Sequence, residues 1–201
     1  ITYIAMDMML ERVVAIKEFF VQGYMYRDNS TSTSISVSTS AGDSQEQYYR
    51  LNREKFEREA KIIAHLDDLT GIVKVYDFFY ENDTVYMVLE YLDGINLKEY
   101  VKAQGGKLNV NEVTSKLNSV MSSLQNLHEH GILHRDISPD NIMVLGDGSL
   151  KLLDFGGAKI QANTGLSNMV IAKKGYTPIE QYHTDGNQGV WTDVYAMAAT
   201  I

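Results

Sequence analysis

The chain has 201 residues, 44% of them hydrophobic, with 18 basic against 26 acidic side chains and a formal net charge of −8. That length and apolar content suit one substantial core or two small lobes, and the negative balance, with no basic run to offset it, argues against a general nucleic-acid binder. Zero cysteines exclude disulfides and thiolate metal sites and fit a reducing, cytoplasmic compartment, and no apolar run approaches the roughly 18 residues that a membrane span needs.

The opening residues read as a strand, Thr2 to Met6, and not as a signal peptide; an anchor outside this segment stays open. A turn near Asp7 leads to a second strand, Val13 to Phe20, rich in β-branched and aromatic residues. Between Ser30 and Ser40 every residue except Ile35 and Val37 is Ser or Thr, which predicts a flexible loop over 28–46, a solvated linker before it is an autophosphorylation target. From Asn52 to Leu66 the pattern turns helical, with Phe56, Ile63 and Leu66 on one stripe. Strands follow at Ile72 to Tyr80 and Thr84 to Tyr91, joined by Asn82-Asp83.

After Asp93-Gly94 the chain becomes mainly helical. A long helix from Asn111 to His130 carries Val113, Leu117, Val120, Met121, Leu124 and Leu127 inward. Ile142 to Leu145 and Leu150 to Leu153 flank Gly146-Asp147-Gly148-Ser149, a hairpin signal, and the chain ends in the start of a helix. No internal repeat of solenoid period is present. The expected class is α+β, with a β-rich part over 1–92 and a mainly helical part over 93–201.

Three placements of polar side chains stand out. Alternation puts Lys17 on one face with Val13, Ala15 and Phe19, and Glu59 lies three residues after Phe56 and four before Ile63. Pairing the two would relieve the cost of burying either, although these two residues alone fit better as a snorkelling lysine and a half-exposed glutamate. Asn141 just precedes the first hairpin strand and Asp154 just follows the second, so antiparallel pairing brings two oxygen donors to one end. That suits a hard cation such as magnesium, with Asp136 in reach on the preceding loop; singly, each is also an ordinary turn former.

Together these residues resemble the protein kinase signature set. Val14-Ala15-Ile16-Lys17 matches the VAIK strand, His134-Arg135-Asp136-Ile137-Ser138-Pro139-Asp140-Asn141 the catalytic loop, and Asp154-Phe155-Gly156 the DFG motif. Pro178-Ile179-Glu180 is similar to APE with two residues altered, and Trp191-Thr192-Asp193-Val194-Tyr195 to the opening of the helix that buttresses the catalytic loop. Ile1-Thr2-Tyr3 and the run Gly175 to Tyr182 look most like bacterial Ser/Thr kinases. The resemblance implies a bilobal fold, with Lys17 on the ATP phosphates oriented by Glu59 (or by Glu57 in another register), Asp136 taking or orienting the substrate hydroxyl proton, and Asn141 and Asp154 binding Mg2+. It also places Leu89 as gatekeeper, Glu90-Tyr91-Leu92 as the hinge to adenine, and Ala15 and Met143 around the purine.

The chain departs from that pattern in places. No Gly-rich loop precedes Thr2, and no arginine partner for Glu180 follows, both expected from truncation. Ser138 stands where the family has a lysine and Lys173 where it has a threonine. A reciprocal exchange would carry Lys173 to Asp136 and the γ-phosphate while Ser138 supplies the hydroxyl; otherwise Lys173 is an exposed lysine on a loop. Arg135 and Lys159 are candidate partners for a phosphate on Thr164 or Ser167. The resemblance implies a protein substrate for phosphoryl transfer from ATP, with a pseudokinase or a small-molecule kinase as the competing readings.

Overall fold

Residues 1–27, 34–37, 43–66, 68–160 and 172–201 are described in a computed structural model of the chain. They divide into two units, Ile1–His65 with Lys74–Tyr91, and Leu66–Val73 with Leu92–Ile201. The crossing between Tyr91 and Leu92 lies beside the expected one, but residues 66–73 belong with the second unit.

The first unit is built on strands β1 (Thr2–Asp7), β2 (Arg12–Glu18), β3 (Met25–Arg27) and β4 (Ile35–Val37), helix α1 (Asp43–Ala64), and strands β5 (Val75–Glu81) and β6 (Thr84–Glu90). The main sheet runs β1-β2-β6-β5, antiparallel throughout. Asn82 and Asp83 both have positive φ, 51° and 57°, the geometry of the two-residue hairpin turn whose twist matches its strands. Val85 and Met87 are fully buried on β6. Helix α1 packs over the sheet through Phe56, whose ring centroid lies 5.7 Å from that of Phe19 and 6.3 Å from that of Phe78. Burying side chains of this size contributes about 1.5–3 kcal/mol each, which is what holds a helix with a polar outer face to the sheet.

Three expectations are corrected here. The Ser/Thr-rich stretch is not all loop: β4 pairs with β3, Ile35 is buried, and its N–H donates to the Asn82 carbonyl at 2.8 Å. Its two apolar residues at alternate positions suffice for one short strand. Helix α1 begins at Asp43, not Asn52, extended by a Glu46–Arg50 pair at 3.3 Å and by Tyr49 against Phe19 at 5.6 Å. On β2, the more buried face is that of Val14 and Glu18, while Val13 is exposed.

The second unit comprises β7 (Gly94–Asn96), α2 (Leu97–Ala103), α3 (Val110–Glu129), β8 (Ile132–Leu133), β9 (Ile142–Leu145), β10 (Leu150–Leu152), β11 (Lys159–Ile160) and α4 (Val190–Thr200). Helix α3 starts at an Asn109 side chain that accepts from the Asn111 N–H, and buries Val113, Leu117, Val120, Ser123, Leu124 and Leu127. Ser123 replaces the expected Met121 on that face because its hydroxyl accepts from the Gly71 N–H at 3.1 Å. A Cβ at position 71 would lie 2.5 Å from the Ser119 carbonyl oxygen, so glycine is what allows this approach. Residues 71–73 then bond to Leu152, with Ile72 bridged in parallel to it, which is why Ile72 starts no strand with β5. The β9–β10 hairpin pairs through Leu150↔Val144 and Leu152↔Ile142, and β7 joins the other side of β9.

Candidate active site

In the first unit, the Lys17 ammonium meets the Glu59 carboxylate at 2.7 Å, with side-chain exposures of 27% and 6%. Strand alternation delivers the lysine and the α1 stripe delivers the glutamate. Glu57, the other expected partner, pairs instead with Arg53 at 3.1 Å, four residues back on the same helix. Ala15 sits directly opposite Leu89 across the β2–β6 ladder. The Glu90 N–H is taken by the Lys74 carbonyl at 3.0 Å.

In the second unit, Asp193 on α4 is wholly buried and acts as a hub. Its carboxylate accepts from the backbone N–H of His134 at 2.8 Å and of Arg135 at 2.7 Å, and meets His128 Nε2 of α3 at 2.8 Å. These bonds fix Arg135 at φ +68°, a left-handed conformation costing roughly 1–3 kcal/mol in a side-chain-bearing residue. Replacing Asp193 with Ala strands two buried N–H groups, and is expected to lower unfolding free energy in urea by about 3–5 kcal/mol. Asn, which keeps one accepting oxygen, should lose less; a loss below about 1 kcal/mol for Ala would show that the loop holds its shape without Asp193.

From that hub the loop runs into its chemistry. The Asp136 N–H donates to His134 Nδ1 at 3.3 Å, so His134 carries its own proton on Nε2, which meets the Leu153 carbonyl at 3.0 Å. The His134 ring packs edge-on to Phe155 at 4.7 Å. The Asn141 amide nitrogen donates both to the Asp136 carbonyl, at 2.8 Å, and to its carboxylate, at 2.9 Å. The Leu153 N–H donates to the Asn141 carbonyl at 2.8 Å, which brings Asn141 and Asp154 to the same end of the hairpin. Asp154 is left-handed, at φ +54°, held as its side chain accepts from the Gly156 N–H at 3.1 Å.

Burial pushes the Asp136 carboxyl above the ordinary carboxylate range. Lys173 and the Asn141 hydrogen bond oppose that rise, while the charge of Asp154 adds to it. Among the described residues no group of three or more His, Cys, Asp or Glu side chains is arranged to hold a metal. Asn141 and Asp154 nonetheless fit a hard cation that takes its other ligands from phosphate and water, since the Asn141 nitrogen is committed to Asp136 and its oxygen is the metal-capable end.

Lys173 reaches Ser138 but not Asp136. Its ammonium donates to the Ser138 hydroxyl at 2.8 Å and pairs with Asp140 at 2.8 Å. The expected contact with Asp136 is therefore replaced by one with Asp140, which the turn from Pro139 to Asn141 presents on the same side as Ser138. Glu180 accepts from the Thr192 hydroxyl at 2.8 Å.

A family model described as the protein kinase domain matches residues 11–201. The chain belongs to the protein kinase family. This kinase domain is 31% identical over 201 residues to serine/threonine-protein kinase PrkC of Bacillus subtilis, covering 99% of the chain and 27% of the relative. It is 34% identical over 163 residues to serine/threonine-protein kinase PknA of Nostoc, covering 77% of the chain and 28% of the relative. A solved structure, PpkA-294 in its apo form, superposes with a TM-score of 0.82 at 32% identity, covering 99% of this chain and 68% of that one. The chain thus spans about a quarter of the length of these curated relatives. Kinase domains of this family use ATP and a divalent metal, and among the described residues no helix is long and apolar enough to cross a membrane.

Three residues that the sequence reading did not assign to any site matter here. Asp193 and Asp140 are described above; the third is Glu18. It is wholly buried at the end of β2, where it accepts from Tyr3 at 2.7 Å and from Tyr86 at 2.8 Å and pairs with Arg27. Burial works against its ionisation, but the hydrogen bonds from Arg27, Tyr3 and Tyr86 outweigh that and hold its carboxyl below the ordinary range. The legible signal was a charge on an otherwise apolar strand face. Thr164 and Ser167 lie outside the described residues.

Proposed function

We propose that this kinase domain transfers the γ-phosphoryl group of MgATP to a serine or threonine hydroxyl of a protein. The observation that carries the reading is the Asn141 amide, which ties the Asp136 carboxylate to the hairpin end holding Asp154. A proton acceptor and a cation site are thereby locked to one another at fixed spacing.

Each residue has a role that its surroundings support. Asp136, with its raised pKa, accepts or orients the hydroxyl proton as the new oxygen–phosphorus bond forms and the bond to the ADP oxygen breaks. Asn141 and Asp154 would hold Mg2+, which when bound neutralises phosphate charge. Lys17, kept in place by Glu59, is assigned to the α- and β-phosphates. Ala15, Leu89 and Met143 are assigned to the purine. Because the Glu90 N–H is already bonded, Glu90 can meet adenine through its carbonyl alone, which leaves Leu92 to offer the N–H. Lys173 takes the place of the family's lysine near the transferred phosphate, and Ser138 gives it an acceptor. Replacement of Lys173 by Met should lower kcat about tenfold or more; unchanged turnover would dispose of the exchange.

The family's protein substrates and the run Gly175 to Tyr182 favour a protein over a small molecule. A chain without cysteine fits the cytoplasm, where ATP is supplied. The test is Mg2+-dependent transfer from ATP by the full-length protein to a generic protein substrate, beside Asp136→Asn. Transfer by the wild type alone supports the reading; two equally inert proteins would make the domain a pseudokinase.

A further inference from the structure

We propose that Asp140, braced by Lys98, is a positioning residue that holds Lys173 in place without cancelling its charge. The inference rests on the assignment of Lys173 to the transferred phosphate. Asp140 sits one residue before Asn141, in the short turn that begins after Ser138. One of its oxygens, Oδ2, pairs with Lys173 at 2.8 Å, and the other, Oδ1, with Lys98 of α2 at 3.1 Å. Lys173 donates its second hydrogen bond to the Ser138 hydroxyl, on a residue that is fully buried.

An ammonium has three N–H donors. Among the described residues Asp140 and Ser138 take two of those of Lys173, so the third remains for an incoming oxygen. A lone Asp–Lys pair would be neutral and would offer little attraction to a phosphate. Lys98 supplies the second cation, so the group of Lys98, Asp140 and Lys173 keeps one net positive charge. The backbone of residues 138–141 also carries Asn141, whose amide grips Asp136. Holding Lys173 to this segment sets its place relative to the proton acceptor.

The experiment uses the full-length protein as wild type, Asp140→Asn, Lys173→Met and the double variant. Two quantities are measured: kcat with KM for ATP, and the rate at which Lys173 of the nucleotide-free protein is acylated by an amine-reactive ester, read by mass spectrometry. Asp140→Asn should lower kcat about tenfold with little change in KM, and the double variant should be no slower than Lys173→Met, because the effect of Asp140 passes through Lys173. Acylation of Lys173 should rise about threefold or more once the ion pair with Asp140 no longer holds its amine. Multiplying effects in the double variant, or an unchanged acylation rate, would overturn the proposal. A wild type that transfers no phosphate while Asp140→Asn still exposes Lys173 would overturn the kinase reading and support the contact.

Discussion

Asp136→Asn is expected to lower kcat by about 10²–10⁴-fold and at the same time to raise the melting temperature. The first effect follows from the role proposed for Asp136 as proton acceptor; the second follows from its environment. Burial, with the charge of Asp154 adding to it, raises the folded-state pKa of Asp136 above its unfolded value. The sign is then fixed: the protonated form favours folding, and that contribution is present at low pH and lost as pH rises through the folded pKa. At neutral pH the ionised carboxylate therefore weakens the fold. Asn removes the charge and still offers an oxygen to the Asn141 amide that now donates at 2.9 Å. Calorimetry at pH 7 and at pH 4 separates the two forms, with the gain expected at pH 7 and shrinking at pH 4. A variant less stable than wild type at pH 7 would show that the ionised carboxylate is held by bonds stronger than its burial penalty. The same shift predicts that turnover falls as pH drops through the raised pKa, because the acceptor is then already protonated.

Lys17→Met is expected to remove transfer almost completely, by about 10²-fold or more, and to destabilise the first unit. Glu59 is nearly buried, so deleting its lysine leaves a charge in a poor medium, whereas the Lys17 side chain is about a quarter exposed. The full cost of breaking a buried pair is about 3–5 kcal/mol, and the exposure of Lys17 reduces that to about 1–3. Adding Glu59→Leu to Lys17→Met should recover most of the stability, since an apolar side chain among Phe56, Ile63 and the sheet needs no cation, while transfer stays lost. Chemical denaturation and an ATP transfer assay on the wild type, Lys17→Met and the double variant decide this. If the double variant were as unstable as Lys17→Met, the pair would be a packing element and not an electrostatic one.

Much of the candidate site was legible because its residues break a local pattern. Glu59 interrupts an apolar helix stripe, and Asn141 and Asp154 bracket two short apolar strands, so their convergence follows from hairpin geometry alone. The resemblance to protein kinases, and no local pattern, singled out Ala15 and Leu89, and the ladder sets them opposite one another. The partners of Lys173 were not legible. Local sequence put it on a loop, and whether it met Asp136 or Asp140 depended on how a turn 35 residues away presents its side chains.

What the sequence determined by itself is local: where strands and helices form, which faces are apolar, and which charges sit where water is scarce. Periodicity and turn chemistry carry that information within a few residues. Only the tertiary structure decided that Asp193 ties α3 to the catalytic loop, that Gly71 and Val73 bond to Leu152 of β10, that Ile35 finds a strand partner, and that Lys98 and Lys173 share one carboxylate. Each of these is a contact between distant segments, chosen by which buried donor or charge would otherwise lack a partner, and no window along the chain contains both halves of it.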